Sequence, residues 1–273
     1  MIPLAAEPIA HLGSFPITNS MVNAWIAVLL FIILGAIARR RVGLVPRGIH
    51  NVFEAIVEFL LGEVQKVTGD RERARQFLPI VGTIFLFVLV INWMGLIPGV
   101  GSVGLYEIVS GKRELVPLFR AASSDLNLTL AIAIFAVVMS HVFGILHVGI
   151  ISHVSKFFNI RGIFRSLTKG PMAILIALIE FAVGLLELVS EFAKVLSLSL
   201  RLFGNVFAGE ILLTVMMSIF AYALPIPFIF LEILVGIIQA TVFSMLTLAF
   251  FTVASAAHEE EQTHEREPIV AHV

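Results

Sequence analysis

The residues with the clearest chemical potential in this sequence are charged side chains that interrupt long apolar segments. A charged side chain near the middle of a bilayer costs at least ~2.5–3.5 kcal/mol on insertion scales, so it needs a partner, water or a function. The apolar stretch of residues 171–222 holds six such side chains. They are Glu180, Glu187, Glu191, Lys194, Arg201 and Glu210.

Several of these residues share one helical face. Each residue of an α-helix advances by about 100°, so positions seven apart drift only slowly around the axis. This spacing relates Glu180, Glu187, Lys194 and Arg201. Small and polar residues on the same stripe would let another helix approach closely. They are Ser190, Ser197, Gly204, Asn205 and Ala208.

Arg201 needs a counter-charge from outside its own turns. An arginine stays protonated whatever its surroundings, and the positions three and four residues away are Ser, Leu, Gly and Asn. The sequence therefore predicts an acidic partner on another helix or another chain. For Glu187 and Lys194 two interpretations stay open: an ion-pair ladder that only packs helices, or part of an ion path.

The last apolar stretch supplies two further polar residues on one face, Glu232 and Gln239, again seven apart. Antiparallel pairing of the two stretches predicts Gln239 near Arg201. It also predicts the carboxylates of Glu232 and Glu210 within about 6 Å of each other or bridged by water. Two acids in one site do not both ionise easily, which suits a proton relay. An interhelical hydrogen bond is the alternative for Gln239, and a packing role is expected for His141.

Composition identifies the class of protein. Of 273 residues, 59% are hydrophobic and 14% are charged, against roughly 25% charged in an ordinary globular domain. This balance excludes a soluble enzyme, a disordered chain and a nucleic-acid-binding protein with a basic face. Cysteine is absent, which excludes disulfides and thiolate metal sites. The sequence predicts an all-α, polytopic membrane protein with five hydrophobic stretches, at residues 21–38, 77–98, 126–150, 171–222 and 226–257.

Residues 47–68 have a different pattern from the five stretches. Their apolar positions recur at helical spacing, while His50, Asn51, Glu54 and Lys66 lie off that stripe. The pattern predicts an amphipathic helix on the membrane surface. Packing of this helix against other spans stays the alternative. The apolar positions are Ile49, Val52, Phe53, Ile56, Leu60, Val64 and Val67.

Loop charges predict the orientation. Lys and Arg are concentrated between the first and second stretches and again in residues 152–169, whereas residues 99–125 hold only Lys112, Arg113 and Arg120. By the positive-inside rule, the loop between the first and second stretches and the loop of residues 152–169 are cytoplasmic. The N-terminus is then outside, and the acidic tail of residues 258–273 is cytoplasmic. No basic region precedes the first apolar run, so no cleavable signal is expected.

The stretch of residues 171–222 is too long to stand upright in a bilayer. It has no internal proline after its first residue, and about 50 helical residues extend ~75 Å, while the hydrocarbon core is ~30 Å thick. We therefore expect a helix some 65° from the membrane normal. Together with the last stretch it would form a strongly tilted helical hairpin. The alternative is a break near Gly184.

Five segments of the sequence carry a family resemblance. The segment S-L-S-L-R-L-F-G-N-V-F-A-G-E, residues 197–210, resembles the signature of subunit a of F-type ATP synthases. The resemblance extends to Pro16–Ser20, Asn92–Gly99, Asp125–Thr129 and Gln239–Phe243. It implies the stator half of a membrane motor, with two offset proton half-channels facing a rotating ring of c subunits. It also implies b-type peripheral-stalk partners and a bacterial plasma membrane.

The resemblance assigns roles to particular residues. Arg201 would be the arginine that meets the ring carboxylate, and Asn205, Glu210 and Gln239 would line the ion path. Many bacterial members have His where this chain has Glu232, so here two carboxylates would serve the relay. The Glu187–Lys194 side would be the inner exit. The chain has no phosphate-cradling loop, so it would not bind ATP itself, and no cofactor is expected.

Two other classes of protein compete with this hypothesis. A secondary transporter would place paired broken helices in two repeated halves, and no internal repeat is visible. A membrane scaffold without an ion path would tolerate the substitution Arg201→Leu with assembly and ion flux intact.

Overall fold

The computed structural model describes residues 6–39, 48–97, 99–100, 103–109, 112–150, 171–220 and 223–266. This part of the chain is mostly helical and contains six α-helices and one short 3₁₀ turn, Ala122–Ser124. The helices are α1 (Asn19–Arg39), α2 (Ile49–Thr68), α3 (Arg71–Met94), α4 (Leu126–Val148), α5 (Pro171–Ile219) and α6 (Pro225–Arg266).

Four helices of the described residues are long and apolar enough to cross a membrane. They are α1, α3, α4 as far as His147, and the Pro225–Ser255 part of α6. Helix α5 is not among these four, and its 49 residues include six charged side chains. The prediction that this fourth stretch also crosses the bilayer stays a prediction.

Helices α2 and α3 meet at a short turn with well-defined caps. Gly69 ends α2 with a φ of 70°, a left-handed conformation that glycine adopts without steric cost. Asp70 then caps α3, because its carboxylate accepts hydrogen bonds from the backbone N–H groups of Glu72 and Arg73. Leu60 and Val64 of α2 are buried, and the Leu60 side chain lies beside Gly82 of α3. Packing against a neighbouring helix is therefore present, while a position of α2 at the membrane surface stays a prediction.

The expectation of an all-α fold is incomplete, because two short antiparallel hairpins are present. Strand β1 (Pro8–Leu12) pairs with β2 (Phe15–Thr18), and β3 (Gly104–Val109) pairs with β4 (Lys112–Pro117). Gly13, with a φ of 67°, lies in the first turn. These strands are only four to six residues long. A hydropathy pattern of that length is ambiguous, which explains why the sequence did not reveal them.

The chain forms two compact units, which are described separately. The first comprises Met1–Ile132 and Leu198–Leu246, and the second comprises Ala133–Ser197 and Thr247–Val273. In the first unit, Ala24 and Ala27 of α1 pack with Ile91 of α3 and with Ala122. In the second unit, Phe251 is fully buried and its ring centroid lies 4.9 Å from that of Phe143.

Helix α5 is a single helix from Pro171 to Ile219, without the break near Gly184 that the sequence left open. A proline opens both α5 and α6, at the helical position where its missing N–H costs nothing. Helix α6 continues beyond Ala257 to Arg266, so the predicted tail begins as helix. The tilt of these helices in a bilayer stays a prediction.

Candidate functional site

Two of the predicted polar residues, Asn205 of α5 and Gln239 of α6, meet in the first unit. Asn205 Nδ2 donates a hydrogen bond of 2.6 Å to Gln239 Oε1. Gln239 is 3% exposed, and its amide nitrogen is buried with no hydrogen-bond partner within the described part of the chain. Asn205 lies one helical turn after Arg201, so Gln239 packs beside the turn that carries the arginine.

Arg201 itself lies on the exposed side of α5. The neighbouring Leu198 and Leu202 are buried and face the protein. Gly204, Asn205 and Ala208 are exposed together with Arg201. We call these four residues the α5 stripe. The stripe combines a fixed positive charge with small side chains, which is a surface that a second helix can approach closely.

Glu232 of α6 packs directly on α5. Its carboxylate lies over Gly209, in the space that a Cβ on that residue would occupy. Glu210 is the next residue of α5, so the structure brings Glu232 to the turn that carries the second predicted acid. The contacts Asn205–Gln239 and Gly209–Glu232 advance in opposite directions along the two helices. The two helices therefore run antiparallel in this unit.

Glu210 has a cationic partner that the sequence did not reveal. Arg120 Nε and Nη2 each lie 3.4 Å from Glu210 Oε2. The Arg120 side chain is 4% exposed and that of Glu210 is 25% exposed. The guanidinium carbon of Arg120 also lies 5.9 Å from the centre of the Phe207 ring, within cation–π range. In the sequence Arg120 was counted only as a loop charge, and its separation of 90 residues from Glu210 gave no local signal.

The segment that carries Arg120 is held by hydrogen bonds from two helices. Asn23 of α1 donates to the backbone oxygen of Arg120 (2.8 Å), and Ser20 of α1 donates to Asp125 (2.6 Å). Ser123 donates to Asn92 of α3 (2.6 Å). These side chains are buried, where hydrogen bonds fix geometry most strongly. The network therefore anchors residues 120–125 and sets the position of the Arg120 guanidinium.

Close contacts at Gly95 and Trp93 also fix the end of α3 in this unit. A Cβ on Gly95 would lie 2.6 Å from the Ala121 side chain, so only glycine fits there. Trp93 Nε1 donates to the backbone oxygen of Ile233 in α6 (3.2 Å). Three segments quoted for the resemblance, Pro16–Ser20, Asn92–Gly99 and Asp125–Thr129, thus contribute residues to the packing around Arg120 and α6.

The second unit holds a separate charged cluster. Lys194 Nζ lies 2.6 Å from Glu191 Oε1, and His141 Nε2 of α4 lies 3.5 Å from Glu191 Oε2. The sequence offered Glu187 as the partner of Lys194, and the structure instead pairs Lys194 with Glu191. The reason is helical spacing: three residues bring side chains together, while seven residues separate them by about 10 Å along the axis. Glu187 is half-buried.

Comparison with known proteins identifies the family of this chain. A family model described as ATP synthase A chain matches residues 21–252. A protein of Moorella thermoacetica named ATP synthase subunit a is 31% identical over 242 residues, which cover 89% of this chain and 93% of that protein. The same name is borne by proteins of Mycobacterium ulcerans, 34% identical with coverages of 90% and 89%, and of Campylobacter fetus, 32% identical with coverages of 94% and 97%. The match over most of the chain shows that it belongs to the ATP synthase subunit a family.

Proposed function

We propose that this protein is the membrane stator subunit of a bacterial F-type ATP synthase. It would form two offset proton half-channels against a rotating ring of c subunits. Family membership supports the proton-channel role. The observation that carries the finer proposal is the α5 stripe, which presents the Arg201 charge among small residues on an exposed face.

The mechanism follows from the charge of Arg201. A ring carboxylate stays protonated while it faces lipid, because burying an isolated charge there is costly. Beside Arg201 the carboxylate is stabilised in its charged form, so it gives up its proton before it passes. The fixed cation also repels a free proton, which blocks a direct leak between the two half-channels. Rotation of the ring thereby becomes coupled to proton transfer.

Proton entry from the outer side would use the acids of the first unit. Glu210 and Glu232 belong to adjoining turns of α5 and α6, and Arg120 holds Glu210 in one position. In this proposal Arg120 is a positioning residue, since it acts through Glu210. Asn205 and Gln239 lie between these acids and Arg201 along the helices. Their amides supply polar groups beside the ring-facing stripe.

Proton exit would follow the inner part of α5, past Glu187 and Lys194. The orientation predicted from loop charges supports this direction, with the N-terminus outside and the C-terminus in the cytoplasm. The expected partners are the c-ring, b-type peripheral-stalk subunits and the lipid bilayer. The nucleotide chemistry would belong to other subunits of the complex.

The length of α5 supports a tilted hairpin. Its 49 residues extend about 74 Å, more than twice the ~30 Å hydrocarbon core. Ordinary helix tilts of about 20° do not absorb that difference. A large tilt away from the membrane normal would let α5 and α6 follow the curved surface of a cylindrical ring. Water could then approach Arg201 from opposite membrane faces at two separated points.

Substitution of Arg201 tests this function. We expect Arg201→Ala to assemble into the complex, because the side chain is exposed, but to abolish both ATP synthesis and ATP-driven proton pumping in membrane vesicles. Arg75→Ala is the matched control. Arg75 forms an exposed ion pair with Glu72 within α3, far from Arg201 in the sequence. Normal pumping by the Arg201→Ala complex would favour the scaffold alternative and overturn the proposal.

A further inference from the structure

The cluster of Glu191, Lys194 and His141 in the second unit has a geometry that suits proton transfer. The Lys194 ammonium holds one oxygen of Glu191 at 2.6 Å. The other oxygen, Oε2, faces the His141 ring at 3.5 Å and has no hydrogen-bond partner within the described residues. The carboxylate is therefore fixed on one side and open towards an imidazole on the other.

Burial separates this cluster from an ordinary surface ion pair. The Glu191 side chain is 14% exposed, and those of His141 and Lys194 are 29% exposed. From α6, the Phe250 ring covers the Lys194 ammonium at 5.0 Å. Lys194 is thus held between a carboxylate and an aromatic face, and it cannot swing away to water without losing both contacts.

We propose that His141 carries protons on the inner half of the ion path, with Glu191 as its positioned counter-charge. This inference rests on the proposed function. A hydronium ion or protonated water on the path would transfer its proton to His141 Nε2, where an N–H bond forms as an O–H bond breaks. The resulting imidazolium faces Glu191 Oε2. Release of the same proton to water at the inner face returns the ring to its neutral form.

The unequal distances within the cluster explain why the proton is not trapped. At 3.5 Å the His141–Glu191 contact is at the outer limit of hydrogen bonding, so the imidazolium gains attraction without a short, strong bond. The closer partner of Glu191 is Lys194, which already balances the carboxylate charge. Imidazole is also the side chain whose unperturbed titration lies nearest to neutral pH. Glu191 of α5 lies against His141, and Glu191 in turn contacts Lys194, whose ammonium lies over the uncharged Phe250 ring of α6.

The test measures passive proton conductance of the membrane sector. The vesicles carry the assembled complex from which the ATP-hydrolysing sector has been removed. Conductance is followed from about pH 6 to about pH 9 on the inner side, a range that spans imidazole titration. We expect His141→Gln to lower conductance near neutral pH about ten-fold. We also expect it to remove one inflection from the pH profile. His147→Gln is the matched control, because His147 lies on the same helix, is exposed and bonds to the Phe143 backbone oxygen.

A charge-neutral double variant guards against a folding artefact. Glu191→Gln combined with Lys194→Gln removes both members of the ion pair, so neither charge is left buried alone. We expect the double variant to assemble and to shift the inflection of the conductance profile, because the counter-charge beside His141 is gone. Wild-type conductance and an unchanged pH profile in either His141→Gln or the double variant would overturn the inference. A uniform loss of conductance in His141→Gln that kept the inflection would overturn it too.

Vesicles that keep the complete, unstripped complex distinguish this inference from the proposed function. If Arg201→Ala abolishes ATP-driven pumping while His141→Gln behaves as wild type, only the role of His141 fails. If Arg201→Ala pumps normally, the proposed function fails, and the role of His141 fails with it.

Discussion

Arg120 and Arg201 carry the same charge in the same compact unit, yet their surroundings are opposite. Arg120 is 3% exposed and lies against Glu210 and the Phe207 ring. Arg201 lies on an exposed stripe with Gly204, Asn205 and Ala208. The first arginine is built into the protein, and the second is presented outward. Under the proposed function, the contrast separates a charge that organises the site from a charge that would meet a partner.

The largest expected difference is in stability. Arg120→Ala leaves the Glu210 carboxylate without this guanidinium in a largely buried place, and we expect a loss of about 2–3 kcal/mol, reduced from the fully buried case by the partial exposure of Glu210. Arg201→Ala should leave stability nearly unchanged, since exposed substitutions cost little. Thermal unfolding of the purified complex and the amount of subunit in membranes measure the stability of both variants.

The double variant Arg120→Ala with Glu210→Gln sharpens this comparison. It removes the charge that the single variant leaves behind, so it should recover part of the lost stability. Equal unfolding temperatures for Arg120→Ala and Arg201→Ala would show that burial of Arg120 has no energetic consequence.

Gly204 and Gly209 of α5 offer a second contrast. A Cβ on Gly209 would overlap the Glu232 carboxylate, whereas a Cβ on Gly204 would meet nothing within 4 Å in the subunit. We expect Gly209→Ala to destabilise the subunit by roughly 1–3 kcal/mol and to displace Glu232. Gly204→Ala should not destabilise it. Thermal unfolding of the two complexes gives the comparison.

A shortened acid provides the control for Gly209→Ala. Combining it with Glu232→Asp makes room for the added methyl group, so stability should return towards that of Glu232→Asp alone. If the double variant is less stable than either single variant, the close packing of Glu232 on Gly209 is not the cause.

The smallest expected effect concerns the hydrogen bond between Asn205 and Gln239. Asn205→Ala leaves the Gln239 oxygen buried without this donor and should cost about 1 kcal/mol or more. Gln239→Leu leaves Asn205 on an exposed face, where water can replace the bond, so it should cost less. Unfolding temperatures in the reverse order would contradict the assigned exposures.

Local helical spacing predicted part of the site, and long-range packing determined the rest. The seven-residue offsets placed Glu232 and Gln239 on one face of α6, and the structure sets them against Gly209 and Asn205. The Lys194–Glu191 ion pair could be predicted from the sequence, because residues three apart on a helix are neighbours. The seven-residue offset favoured Glu187 instead, although that spacing leaves the two side chains about 10 Å apart along the axis.

Arg120 shows why the rest of the site could not be predicted from the sequence. Its partner is 90 residues away in sequence, and its burial depends on polar contacts with α1 and α3 that no periodicity encodes. Four long apolar helices followed from hydropathy alone. The strands of residues 104–117 did not, since their register depends on cross-strand pairing rather than on composition.

The central claim, that the α5 stripe faces the c-ring, is tested most directly by disulfide cross-linking. The chain has no cysteine, so Gly204→Cys introduces a single thiol next to the Arg201 turn, in open space within the subunit. Paired with a cysteine beside the ring carboxylate, it should form a cross-link that stops ATP-driven pumping until a reductant is added. Val206→Cys, about 140° around the helix from Arg201, should not cross-link. A cross-link at residue 206 and none at residue 204 would contradict the account.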